Sequence, residues 1–158
     1  MKKKSKKTRF ISGLKSKDIV KLIETLENVN ISYDQLYYYE RTGLIVPSVR
    51  KSKGRGVPRL YSVEDLIFLR WLVQLQKSGL PLNKFRDILN FIRNKIPEIS
   101  EKPENWILIA ENKKIQFVDK VTSKSFDLNE SGAQFLLVFP LSELVSESKH
   151  SVNELVNK

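Results

Sequence analysis

The chain has no cysteine and a single histidine in 158 residues. Without thiols it has neither a disulfide framework nor a thiolate metal centre, and the one histidine, His150, lies near the C-terminus among serines and lysines, so a metal centre is not expected. No cofactor is expected. Also missing is an apolar run of the ~20 residues needed to cross a bilayer, and the basic start has no apolar signal-peptide segment behind it. The expectation is a soluble, cytoplasmic, nucleoid-associated protein with no membrane partner. Nor is there a Gly-rich phosphate loop, a Ser-His-Asp set or a paired-carboxylate motif, so nothing points to an enzyme.

What the chain has in excess is positive charge. It carries 28 Lys+Arg against 18 Asp+Glu, a net charge of +10 and a pI of about 9.7. That balance favours a polyanionic partner, nucleic acid first. The excess is uneven: 21 basic and 8 acidic residues up to Pro97, then 7 basic and 10 acidic from Glu98 onward. Composition changes at the same place, where the two prolines of "IPEISEKPEN" interrupt the helical periodicity. The pattern predicts a basic disordered arm over residues 1–15, a DNA-binding domain over 16–96, a linker over 97–105, a small β domain over 106–147 and a disordered polar tail over 148–158.

Within the basic half, "SKDIVKLIETLENVN" predicts a helix capped by Ser16, with Ile19, Leu22, Ile23 and Leu26 on one face. A second helix starts at Ser32 and stops at Gly43, so the pair forms a helix-turn-helix. "VPSVRKSKGRGVPRLYS" follows, with Arg50, Lys51, Lys53, Arg55 and Arg59 and no acid among them, as turns between short extended pieces. Ser62 caps a third helix whose inner face and edge are Leu66, Leu69, Leu72, Val73 and Gln76. A fourth helix, "PLNKFRDILNFIRNKI", ends before Pro97. In the second helix, "YYYERTGL" sets three tyrosines in a row. A buried helix face has no need of three hydroxyls, since each wants a hydrogen-bond partner.

The order of "S-x-x-x-L-x-YYER-x-GL", basic segment, "RLYS-x-EDL" and "GLPLNKFRDIL" resembles the DNA-binding domain of the bacterial MerR family of winged-helix transcription regulators. The resemblance covers residues 32–89 well and 16–30 loosely. It implies that the second helix enters the major groove of double-stranded DNA while the basic segment, as a wing, grips the backbone. On this alignment Ser32 and Tyr33 open the DNA-facing helix. Tyr38, Arg41, Arg59 and Tyr61 hold phosphates beside Arg50, Lys51, Lys53 and Arg55, and Tyr39 packs inward. Asp34 and Tyr37 replace arginines common in the family. Asp34 either accepts from a cytosine amine or stabilises the helix N-terminus, and Gln35 and Tyr37 are candidates for base edges. The family's long dimerisation helix is missing after Ile96, yet a chain ended there is expected to keep its four helices and fold.

From Trp106 the pattern becomes strand-like: "NWILIA", "KIQFVDKV", "SFDL" and "AQFLLVFP", with turns between. The near-continuous apolar run from Phe135 to Phe139 suits a central strand. One short helix, "LSELVSE", closes the ordered part. The predicted fold class is therefore α+β: a winged helix-turn-helix of about four helices, a small antiparallel β unit and a short C-terminal helix. The β unit is expected to serve association, either as a homodimer or with a protein partner. Two alternatives to a promoter regulator stand beside it: an excisionase-like architectural DNA-binding factor, and an antitoxin-like autorepressor whose β domain masks a partner protein.

Overall fold

The computed structural model describes residues 13–51, 53–77, 86–102, 105–111, 114–119, 124–130, 137–139 and 141–158. In chain order the elements are β1 (Leu14–Lys15), α1 (Ser16–Glu27), α2 (Tyr33–Arg41), β2 (Leu60–Tyr61), α3 (Val63–Lys77), α4 (Arg86–Glu101), β3 (Trp106–Glu111), β4 (Lys114–Asp119), β5 (Lys124–Glu130), β6 (Leu137–Phe139) and α5 (Leu141–Val156). The fold is α+β. Among the described residues no helix is long and apolar enough to cross a membrane.

Two compact units are present, residues 1–74 with 147–158, and residues 75–146. The division thus falls within α3 and α5 and not at residues 97–105. Pro97 does not end α4, which continues to Glu101. Proline removes one backbone donor, but Ile96 and Ile99 on either side are buried at 3% and 0% exposure, and packing outweighs that local cost.

In the first unit, α1 buries Ile19, Leu22 and Ile23 at helical spacing. Its cap position is Lys15, one residue before the expected Ser16, and the Asp18 carboxylate reaches back to accept from the Lys15 N–H at 3.0 Å. The α2 cap is Ser32, whose hydroxyl accepts from the Gln35 N–H at 3.1 Å. At its other end Gly43 has φ +74°, and the Leu44 N–H returns to the Tyr39 carbonyl at 2.9 Å. Helix α3 opens with a reciprocal cap: the Asp65 N–H donates to Ser62 Oγ at 3.1 Å and the Ser62 N–H to Asp65 Oδ2 at 2.9 Å. Beyond it Leu66 to Val73 are all buried, so α3 is enclosed on every side, whereas Gln76, expected at an inner edge, is exposed.

Leu60 is paired on both sides, with Lys15 in the β1–β2 ladder and with Arg50 in an isolated antiparallel bridge. Leu14 and Lys15 therefore belong to the fold and not to a disordered arm, and Leu14 is buried. Residues 1–12 of that arm lie outside the described residues. The close approach depends on Gly13: at φ +71° a Cβ there would stand 2.8 Å from Leu60 Cβ. Gly13→Ala is expected to destabilise the protein by roughly 2 kcal/mol. A urea midpoint unchanged from wild type would contradict this.

The second unit contains a four-stranded antiparallel sheet ordered β5-β4-β3-β6. Of the apolar run expected at the centre, the described residues 137–139 form an edge strand of this sheet instead. β6 spans three residues and pairs with β3 from Leu108↔Phe139 to Ala110↔Leu137. A continuous apolar run signals burial of both faces and says nothing of rank in the hydrogen-bonded order. Trp106 opens β3 as a buried residue, with Lys95 Nζ 6.0 Å from its ring centroid.

The expected tail is also ordered. Helix α5 runs to Val156, and Ser148 and Val152 are buried in the same unit as α1 to α3. Arg70 explains this. Its guanidinium is buried in α3 and meets Glu27 Oε1 from α1 at 2.5 Å, Ser148 Oγ at 3.0 Å and Glu147 Oε2 at 2.8 Å. Gln74 Nε2 also donates to both Glu27 oxygens, at 3.2 Å. A chain ended at Ile96 would lack two of these contacts, so the expectation that it folds with an intact first unit is withdrawn.

Candidate nucleic-acid interface

The three consecutive tyrosines divide by helical geometry. Tyr39 lies on the core side of α2 and is 3% exposed, while Tyr37 and Tyr38 are each 49% exposed and Tyr33 is 58% exposed. The Tyr39 hydroxyl accepts from Gln35 Nε2 at 2.8 Å, so the one buried phenol of this helix is satisfied from within the helix. Gln35 is correspondingly half-buried and already holds a partner. The Tyr38 ring tilts against Tyr39, centroids 6.3 Å apart, which leaves its outer part in solvent. Ser32, Asp34 and Arg41 are exposed along the same helix, with Asp34 in the first turn and Arg41 in the last. That placement suits both charges to the helix dipole.

Beside this face, the Arg50↔Leu60 bridge closes a loop over residues 51–59, and Arg50 Nε donates to the Pro58 carbonyl at 2.9 Å. Arg50, Lys51, Lys53 and Arg55 are exposed. Arg59, at the base of the loop, behaves differently. Its Nε is ion-paired with Glu40 Oε2 of α2, and its guanidinium carbon lies 5.1 Å from the centroid of the Tyr37 ring.

Tyr61 departs from expectation altogether. It is 1% exposed, and its hydroxyl donates to Glu40 Oε1 instead of reaching solvent. The reason is position: β2 pairs Tyr61 with Leu14 and turns its ring into the core. Burial raises its pKa above the ordinary phenol range, helped by the bond to Glu40 and opposed by Ser16 and the Arg59 charge. Because the folded form keeps the proton longer than the unfolded form, this stability is fully present below about pH 10 and is lost as pH rises beyond it. Tyr61→Phe is therefore expected to cost about 1 kcal/mol at neutral pH and to show a shallower alkaline decline. Equal alkaline slopes in urea titrations of the two proteins would contradict the assignment.

Two contributors were missed in the sequence. Glu40 was only a letter in "YYER", although a carboxylate one turn beyond Tyr37 is placed to meet a cation there. Asp65, in the first turn of α3, is the other: its Oδ2 accepts from the N–H and hydroxyl of Ser48, both at 2.8 Å, and so anchors the segment entering the basic loop. Burial raises the Asp65 pKa, and the hydrogen bonds from Ser48 and Ser62 only partly offset it. No group of three or more His, Cys, Asp or Glu among the described residues is arranged to hold a metal ion.

Comparison with known sequences decides the family. The profile of the MerR HTH family regulatory proteins matches residues 14–92, from β1 into α4. The chain belongs to the MerR family. The chain is similar to an uncharacterized HTH-type transcriptional regulator of Mycobacterium tuberculosis, 38% identical over 65 residues, which are 41% of this chain and 29% of that protein. The chain thus spans less than a third of that relative's length. An uncharacterized HTH-type transcriptional regulator of Bacillus subtilis is 33% identical over 103 residues, 62% of this chain and 69% of its own. The mercuric resistance operon regulatory protein of Bacillus cereus is 26% identical over 109 residues, 68% of this chain and 80% of its own.

Proposed function

We propose that this MerR-family protein is a sequence-specific regulator of transcription that binds double-stranded DNA, with α2 in the major groove and the 51–59 loop acting as a wing on the adjacent backbone. One observation carries the reading. The Arg59–Tyr37 contact makes the exposed face of α2 and the acid-free basic loop one contiguous surface, a helix beside a patch of cations. On this reading Tyr33, Asp34, Gln35 and Tyr37 face base edges, and Ser32, Tyr38 and Arg41 face phosphates. Arg50, Lys51, Lys53, Arg55 and Arg59 neutralise the backbone. Tyr61 has no direct part, being buried. Such a protein works at the nucleoid, in the cytoplasm. The sheet of the second unit, with β5 and β6 at its edges, supports a further role in association, most simply of two copies.

The test is selection of bound sequences from random duplex DNA, followed by affinity measurements across a salt series. A recovered consensus and an affinity that falls steeply with salt are expected, since each neutralised phosphate releases counterion. Binding indifferent to salt would refute the backbone role of the loop. Light scattering on the complex then reports whether one chain or two occupies the recovered site.

A further inference from the structure

Among the described residues Arg59 is the one cation of the basic loop that forms an ion pair within the protein, and that arrangement leaves part of it unused. Its side chain is 28% exposed. The ion pair with Glu40 is closest at Nε, and among the described residues neither Nη1 nor Nη2 donates a hydrogen bond. The Glu40 side chain is itself 10% exposed and is fixed from behind by the buried Tyr61 hydroxyl. Tyr37 offers its ring to the guanidinium at 5.1 Å. The plane of the arginine is thus held at one edge by a carboxylate and against one face by an aromatic ring, while the remaining edge carries two donors with the spacing that matches two oxygens of one phosphate.

We propose that Glu40 and Tyr37 are positioning residues that hold Arg59 in place to grip a DNA phosphate through its two terminal nitrogens. The proposal rests on the DNA-binding reading above and adds to it a role for an acidic residue that electrostatics alone would count as a liability. A free arginine loses rotamer freedom when it docks. One already held in the docked geometry loses little, and the gain appears as affinity. Glu40 also approaches the guanidinium closest at Nε, the nitrogen that a two-point contact through Nη1 and Nη2 does not need.

The sign of one substitution separates the two views. Glu40→Gln removes a negative charge beside the binding surface, so Coulomb repulsion alone predicts tighter binding. Positioning predicts weaker binding, by about fivefold on a mixed-sequence duplex. Arg59→Lys, which keeps the charge but not the planar fork, is expected to weaken binding to a similar degree with an unchanged salt slope. In the Arg59→Lys background Glu40→Gln should not weaken it further. Equal or tighter binding by Glu40→Gln, or full additivity of that double variant, would overturn the proposal and leave the DNA-binding reading intact. Were Glu40→Gln not to fold, Arg59→Lys alone decides, and wild-type affinity in that variant overturns the idea. Failure of the wild-type chain to bind duplex DNA at low salt would remove the DNA-binding reading, and this one with it.

Discussion

Arg70→Ala is expected to lower the stability of the protein by roughly 3–5 kcal/mol, because it leaves the buried Glu27 carboxylate without the counter-charge now 2.5 Å away. In a domain whose whole stability is typically about 5–15 kcal/mol, such a loss shifts Tm downward by on the order of 10 °C. The cost comes mainly from stranding a charge and much less from losing attraction. The joint replacement Arg70→Met with Glu27→Leu should therefore recover most of the loss. Thermal melts of the two variants check this. A double variant no better than Arg70→Ala would mean that the guanidinium's bonds to Ser148 and Glu147 dominate.

The largest expected effect on binding comes from the loop. Replacing Lys51, Lys53 and Arg55 together with alanine removes three exposed cations of the loop. Under the proposed function the slope of log affinity against log salt should fall by about three, and affinity for any duplex by roughly 10²-fold at moderate salt. Base preference should survive, because these side chains lie on the backbone and not at base edges. A variant with the wild-type slope would show that the loop never reaches DNA. Loss of sequence preference with an unchanged slope would move base readout from α2 to the loop.

Some of this organisation was legible in the sequence because it is local. Ser32 and Ser62 announce helix starts through bonds to residues three positions on, and strands β3 to β5 follow from alternation between turns. What was not legible depends on partners distant in the chain. Tyr61 looks like an outward tyrosine in "RLYS" until β1 pairs with it from residue 14. Ser148 looks like the start of a polar tail until an arginine 78 positions earlier claims its hydroxyl. Pro97 is a helix breaker on local grounds and is overruled by the burial of its isoleucine neighbours. Of the candidate interface, the exposed cations were recognisable from composition alone. The Glu40 junction that joins loop to helix was not, since nothing in "YYER" says that Arg59 and Tyr61 arrive at the same carboxylate.

The first unit is discontinuous, with residues 75–146 made between its two parts. On the ribosome, domains ordinarily fold in the order in which they emerge. Here that order is broken. When residues 1–74 are outside the exit tunnel, Glu27 and Arg70 can meet, but Glu147, Ser148 and Val152 have not yet been made. The helix-turn-helix segment waits, incompletely packed, through the synthesis of the whole second unit. Nascent chains released before residue 147 would carry the basic loop on a loosened scaffold, and the firm arrangement arrives only once Glu147, Ser148 and Val152 have been added.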